Sequence, residues 1–319
     1  MKDHYGREIN YLRISVTDHC NLRCVYCMPE GGTEHADACD ILTFDEIVRV
    51  CEQAAKLGIT RLKITGGEPL VREGITELVK MLHGIEGIEQ VTMTTNGTLL
   101  DRYIDELADN GLDAVNISID SVNPDKYREV TRGGNLEDAL RGLDAAVRSG
   151  IKVKVNSVLY PGDDWKEMTD LAKDNEIYVR FIETMPIGMG EKYLGAAKDD
   201  ILGYFEEQGI SLNMDNGIHG NGPAVYFKPQ GYKGYIGIIA PIHGKFCDSC
   251  NRIRLSATGM IKPCLCFGDR YDIGKCVREG NKEDILNTLK AAIYAKPDAH
   301  SFTNREYVTE TQCMSGIGG

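Results

Sequence analysis

The chain is poor in several features that would assign it to a simple class. Trp165 is the only tryptophan in 319 residues, and it reads as helix packing rather than a stacking platform. No run of about 18 apolar residues occurs, so no membrane span is expected. The N-terminus has no apolar stretch after a basic start, so no secretory leader is expected. Positive charge is in deficit. Lys and Arg number 36 against 48 Asp and Glu, a net charge of −12. Broad electrostatic steering of nucleic acid is therefore excluded, and an anionic ligand would need local cations. No internal repeat or low-complexity tract is present. Cysteine is the exception, with eleven. They are too dilute for a disulfide scaffold and too odd in number to pair fully, so metal binding in a reducing, cytoplasmic compartment explains them better.

A missing ligand organises the rest. Cys20, Cys24 and Cys27 pack three thiols into eight residues, with no fourth ligand nearby. Three thiolates fit three corners of an iron–sulfur cube and leave the fourth iron open. An open coordination position is one kept for chemistry. The plain alternatives are three unconnected cysteines or half of a zinc site.

Six short β-like runs recur at 11–17, 61–65, 91–96, 114–120, 153–159 and 179–184, with helical patterns between them. Thr43 and Glu46 can form a capping box for the first helix, which should stop near Gly58. Further helices are expected at 75–82, 101–110, 136–149, 165–174, 199–208 and 281–295, with turns at Asn123-Pro124 and at Arg132 to Asn135. Residues 296–319 read as extended. Alternating strands and helices imply parallel strands with crossover helices. The expected class is α/β, an incomplete (βα)6 TIM-like barrel, with a doubly wound open sheet as the competitor.

Successive side chains on a strand face opposite ways. One set is apolar: Leu12 and Ile14, Leu62 and Ile64, Val91 and Met93, Val115 and Ile117, Val153 and Val155. The other is polar: Arg13, Lys63, Gly67, Thr92, Thr94, Asn116, Ser118, Asp120, Lys154, Asn156, Arg180 and Thr184, with Ile182 breaking the pattern. A packed barrel interior is normally apolar, so this polar face points to a wet cavity. The loop after the first strand carries the thiols. The loop after the second reads Thr65-Gly66-Gly67-Glu68-Pro69-Leu70, where paired glycines allow close backbone approach to a ligand and Glu68 could hold a ligand ammonium.

A second trio lies near the C-terminus: Cys247, Cys250 and, fourteen residues on, Cys264. Cys266 or Cys276 could complete a zinc site. Arg252 and Arg254 follow the pair directly, and guanidinium groups match phosphates or a purine edge. The plain alternative is two solvated surface arginines.

The thiol loop and Gly-Gly-Glu segment resemble those of the radical S-adenosylmethionine (SAM) enzymes. Matching runs extend along nearly the whole chain: LRISVTDHCNLRCVYCMP, KITGGEPLVR, TTNG, NISID, VKVN, RFIE, CDSCNRIRLSATGMIKPCL and the terminal Met314-Ser315-Gly316-Ile317-Gly318-Gly319. Together they resemble the GTP 3′,8-cyclase family, which opens molybdenum cofactor (molybdopterin) biosynthesis. That resemblance implies a lyase with two [4Fe–4S] clusters and SAM. Cys20, Cys24 and Cys27 would hold the SAM-cleaving cluster. Cys247, Cys250 and Cys264 would hold another, whose free iron meets the guanine of GTP. Tyr26, Gly67, Ser118 and Met185 would contact SAM. Arg13, Thr94, Lys154, Arg252, Ile253 and Arg254 would contact GTP, as would Lys63, where the family often has arginine. Arg13, Arg252, Arg254 and the tail residues Gly318 and Gly319 would be needed for catalysis.

The resemblance also implies a radical SAM partial barrel over residues 1–215. Residues 216–319 would carry the second cluster and close the open side. A reductant of flavodoxin or ferredoxin type and a downstream cyclic pyranopterin monophosphate synthase would be its partners, with no nucleic acid and no membrane, in a monomer or homodimer. The competing readings are another two-cluster radical SAM enzyme, such as a peptide maturase, and a non-catalytic iron–sulfur electron carrier.

Overall fold

A computed structural model describes residues 1–161, 165–268 and 270–317. Six strands form in chain order and pair in that order, all parallel: β1 Tyr11–Ser15, β2 Arg61–Thr65, β3 Gln90–Thr95, β4 Ala114–Ser118, β5 Lys152–Leu159 and β6 Tyr178–Glu183. The later strands are β7 Leu212–Asp215, β8 Val225–Pro229, β9 Tyr235–Ile239, β10 Arg252–Leu255, β11 Met260–Lys262 and β12 Tyr271–Asp272. β9 adds parallel to β6 at one flank, and β10 adds parallel to β1 at the other. The sheet order is β12-β11-β10-β1-β2-β3-β4-β5-β6-β9-β8-β7, so its edges are β12 and β7 and it does not close. The link from β9 to β10 carries Cys247 and Cys250 from one flank to the other.

The expected apolar set lies on one side of the sheet. Leu12, Ile14, Leu62, Ile64, Met93, Ile117 and Val155 are fully buried in one core cluster with residues of the flanking helices. Each such side chain contributes roughly 1.5–3 kcal/mol through burial. The opposite face lines a cavity instead of a second helical layer, which removes the doubly wound alternative.

The first helices are α1 Phe44–Lys56, α2 Ile75–His83, α3 Ile104–Asp109, α4 Pro124–Thr131 and α5 Leu136–Arg148. The Thr43–Glu46 capping box is present. Three expectations are corrected here. Asn123-Pro124 starts α4 rather than a turn: the Asn123 side chain accepts the Asp125 and Lys126 N–H groups, and proline suits the first helical position because no N–H is needed there. The 101–110 helix is split, a 3₁₀ turn at Leu100–Arg102 preceding α3. The 165–174 helix divides into α6 Trp165–Met168 and α7 Asp170–Asp174. Trp165 packs edge-on against Phe181 and Tyr204, as helix packing requires.

Three further helices follow: α8 Lys198–Glu207, α9 Gly274–Arg278 and α10 Lys282–Tyr294, the last packing on α1. α9 had no sequence signal. The 296–319 stretch is not simply extended, because it contains 3₁₀ turns at Arg305–Tyr307 and Met314–Gly316.

Candidate active site

The inner face of β1–β6 encloses a cavity of about 680 Å³. Both cysteine trios line it, together with Arg13, Lys63, Thr94, Ser118, Lys154, Arg252 and Arg254. Strand pairing explains part of this convergence. Arg13 on β1 sits between Arg254 on β10 and Lys63 on β2, so three cations stand side by side. Tyr26, Gly67 and Met185 reach the same space from loops. Ile253 does not: alternation along β10 turns its side chain into the main core, where it is fully buried. Gly318 and Gly319 lie outside the described residues.

The paired glycines hold the first thiol loop in place. A Cβ on Gly67 would lie 2.2 Å from the His19 carbonyl oxygen, and one on Gly66 would lie 2.7 Å from that of Thr17. Main-chain N–H groups of Gly67 and Glu68 donate to Thr17 and His19 carbonyls at 2.7 and 2.8 Å. The close approach expected toward a ligand is thus also an approach to the backbone just before Cys20. Glu68 lines the cavity and is also engaged by protein groups. Its Oε1 accepts from Leu70 N–H at 3.0 Å and Thr95 Oγ1 at 2.6 Å, and its Oε2 accepts from Asn96 N–H at 2.6 Å. Burial pushes this carboxyl up to about 7 despite those bonds. It braces the β2 loop against the end of β3.

Tyr26 donates its phenol to Asp120 Oδ2 at 2.6 Å, while Asp120 Oδ1 accepts from Val158 N–H at 2.8 Å. Burial lifts Asp120 to about 6. The first trio is equally desolvated. Burial, with Glu68 adding, raises Cys20 to about 11, and burial, with Cys20 and Cys313 adding, raises Cys27 to about 12. Cys24 lies well above the ordinary thiol range through burial and the nearby Asp120.

The cations show the opposite stress. Burial, with Arg252 and Arg180 adding, draws Arg13 down to about 10, and burial with Arg180 and Lys152 draws Lys154 to about 7. Lys63 and Arg254 are pulled well below their ordinary ranges, again first by burial and then by neighbouring cations. Crowded, desolvated charges of one sign are unfavourable until an anion joins them. Arg180 is held by two bonds to Asn156 Oδ1, at 2.9 and 2.5 Å, and Lys154 Nζ donates to the His219 carbonyl at 2.6 Å.

The second trio is assembled by a residue that no motif announced. Lys296 Nζ donates to the carbonyls of Arg252 at 2.9 Å and Pro263 at 2.7 Å, clamping together the segments that carry Cys250 and Cys264. It lies just beyond α10, remote in sequence from any cysteine pattern. His300, also unforeseen, donates its main-chain N–H to Cys247 Sγ at 3.3 Å. Burial alone would raise Cys250, but Arg252 and Lys296 outweigh it and bring the thiol down to about 6.

Cys266 is fully buried in a small second core with Ile187, Phe302 and Ile317, off the cavity wall. Cys276 packs against the main core. Among the described residues, neither trio has its three sulfurs all within 4.8 Å of one another. A tetrahedral zinc with bonds of about 2.3 Å needs sulfurs roughly 3.8 Å apart. Three thiols per site fit three corners of an iron–sulfur cube with the fourth open.

The tail reaches this site. Ser315 lines the cavity and its main-chain N–H donates to Cys27. Upstream, Glu310 is buried between Lys262 and Arg270, with Arg270 Nη2 at 2.9 Å.

The Radical SAM superfamily model matches residues 14–174, and the model described as Molybdenum Cofactor Synthesis C matches residues 177–302. The chain is 41% identical over 323 residues to a GTP 3′,8-cyclase of Clostridium perfringens (strain 13 / Type A), covering 100% of both. It is 44% identical over 326 residues to that of Alkaliphilus oremlandii (strain OhILAs), again covering 100% of both. Streptococcus suis SuiB bound to S-adenosylmethionine shares the fold with a TM-score of 0.63 at 14% identity, over 89% of this chain and 68% of that one. So does anSMEcpe with bound AdoMet, with a TM-score of 0.55 at 13% identity, over 93% and 90%. The open parallel sheet and the thiol loop after its first strand define a radical SAM protein. The full-length relatives narrow this further: the chain belongs to the GTP 3′,8-cyclase family.

Proposed function

We propose that the protein is a lyase, a GTP 3′,8-cyclase that converts GTP to (8S)-3′,8-cyclo-7,8-dihydroguanosine 5′-triphosphate, the first step of molybdenum cofactor biosynthesis. The observation that carries this reading is one cavity lined by two cysteine trios and by a band of buried cations. An electron carrier needs no such cavity. Cys20, Cys24 and Cys27 would hold the cluster that works with SAM, and Cys247, Cys250 and Cys264 the second. When bound, the first cluster and SAM would supply a carbon radical able to take the hydrogen from C3′ of GTP; bonding of C3′ to C8 would open the C8–N7 double bond, and one electron from the reductant with one proton at N7 would complete the dihydro product.

The chain's own residues position and shield. Tyr26, Gly67, Ser118 and Met185 would hold SAM at the first trio. Arg13, Lys63 and Lys154, with Arg180, would neutralise a triphosphate carrying about four negative charges, and so relieve the repulsion that depresses their own protonation. Thr94 would add a polar contact to the nucleotide. Arg252 and Arg254 would orient its base end beside the second trio, with Ile253 limited to its main chain. Gly318 and Gly319, without side chains, would let the tail enter a narrow space near these arginines.

In this reading residues 1–215 are the catalytic barrel and 216–319 the part that closes it. The protein is cytoplasmic, monomeric or homodimeric, reduced by a flavodoxin- or ferredoxin-type donor, and hands its product to a cyclic pyranopterin monophosphate synthase. No described helix is long and apolar enough to cross a membrane.

The test is anaerobic turnover of GTP deuterated at C3′, read by mass spectrometry. Deuterium in 5′-deoxyadenosine together with a cyclised triphosphate supports the reading. Unlabelled 5′-deoxyadenosine, or none that depends on GTP, would refute it.

A further inference from the structure

Outside the cavity, one group of side chains has the composition and spacing of a metal site. Asp18, His19 and His35 bring a carboxylate oxygen and two imidazole nitrogens within 4.8 Å of one another. Asp18 Oδ1 lies 3.8 Å from His19 Nε2 and 3.6 Å from His35 Nδ1. Ligands bound at about 2.05 Å around a tetrahedral ion sit roughly 3.4 Å apart. The nitrogens are thus near bonding range, and closure on an ion requires the two nearly parallel rings to turn until both nitrogens point at it.

The fold aims the carboxylate. Asp18 Oδ2 accepts the Ala36 N–H at 2.7 Å, which ties Asp18 to the segment carrying His35. Oδ1 is buried and has no hydrogen-bond partner. At 3.6 and 3.8 Å the imidazoles are too far to provide one. A buried carboxylate oxygen left in that state is unfavourable, and a cation would relieve it. His19 is fixed as well: its N–H donates to Thr17 Oγ1 at 3.1 Å and its carbonyl accepts from Glu68 at 2.8 Å. The two imidazole rings stack with centroids 3.9 Å apart. Their side chains are 58% and 40% exposed, so an ion has a route in and room for water ligands.

We propose that Asp18, His19 and His35 bind one divalent first-row transition ion, with water completing its shell. Two imidazoles and a carboxylate suit zinc, ferrous iron, nickel or copper, and differ in chemistry from the thiol trios. The ion would clasp the segment around residue 35 to the loop that ends at Cys20. It would be structural rather than catalytic, fixing the loop that presents the first trio.

Zinc is the probe. Enzyme reconstituted to about eight irons, the complement of two cubes, is equilibrated with zinc chloride and desalted. One zinc per chain is expected. Its X-ray absorption should show nitrogen and oxygen neighbours near 2.0–2.1 Å and none near 2.3 Å, where thiolate sulfur would appear. His35→Ala should lower zinc affinity roughly tenfold or more with iron content unchanged. Asp18→Asn provides a second variant that keeps shape. No retained zinc, a sulfur neighbour, or equal zinc binding by His35→Ala overturns the proposal.

Discussion

Cys20, Cys24 and Cys27 share their end of the cavity with Glu68 and Asp120, whereas Cys250 stands beside Arg252 and Lys296. Burial, helped by these carboxylates, keeps the first set of thiols protonated. At the second site Arg252 and Lys296 overcome burial at Cys250 and favour its thiolate, while burial still raises Cys247. Metal ligation requires thiolate, so binding at the first site must displace protons that its surroundings favour. The second site offers one ligand already ionised. The tail spans the two, because the Glu310 main-chain N–H donates to the Cys266 carbonyl while that of Ser315 donates to Cys27.

Four measurements would break or sharpen this contrast. The largest effect is expected from Cys24→Ala, which should abolish 5′-deoxyadenosine formation and lower iron from about eight to about four per chain. Cys250→Ala should lower iron equally but spare some SAM cleavage. Identical losses in both assays would erase the distinction between the two ends.

Next is the tail's anchor. Glu310→Gln leaves Lys262 buried without its counter-charge, which should destabilise the protein by about 3–5 kcal/mol in urea unfolding. A Glu310→Met, Lys262→Met double substitution should recover most of that loss. If the single variant unfolds like the parent, the tail is not held there.

A smaller effect concerns thiol reactivity. In the iron-free chain at pH 7, Cys250 should alkylate on the order of 50-fold faster than Cys20, the thiolate gain being partly offset by weaker nucleophilicity. Peptide mass spectrometry reads both sites in one sample. Equal rates would remove the electrostatic contrast.

The smallest is a proton balance. With Lys154 near 7 in the empty cavity, it is largely neutral at pH 8. A bound triphosphate should recharge it, so binding takes up a fraction of a proton at pH 8 and almost none at pH 6. Affinity then falls as pH rises above 7. For stability the sign follows from a lowered folded value. The burial penalty is present in full below pH 7 and fades as pH climbs toward the ordinary lysine range. Calorimetry in two buffers of different ionisation heat tests the uptake, and uptake larger at pH 6 than at pH 8 would contradict it.

Much of the site was legible because a strand has period two. Once the runs around Arg13, Lys63, Thr94, Asn116 and Lys154 were placed, alternation alone put them on one face. The same rule excludes the Ile253 side chain, which lies one residue from Arg252 and Arg254. What could not be read were groups brought in by long-range packing. Lys296 and His300 carry no local pattern, yet Lys296 bonds the main chain close to Cys250 and Cys264, and His300 bonds Cys247. Glu68 lines the cavity and also braces the β2 loop, a second role that the loop's own residues did not show. Asn123-Pro124 looked like a turn, because the local signs of a turn and of a helix start are the same until the following residues pack.

Local chemistry, by itself, determined the thiol trios, the strand period that sorts charge from core, and the capped helices between strands. These depend on residue type and short spacing, and each can be written along one dimension. The tertiary structure alone decided that β9 and β10 flank the six-stranded core and carry the second trio to the first. It alone made Arg252 and Lys296, separated by a strand pair and two helices, lower one thiol together. Electrostatic and desolvation effects act through space, and distance in space is what a linear order of residues does not contain.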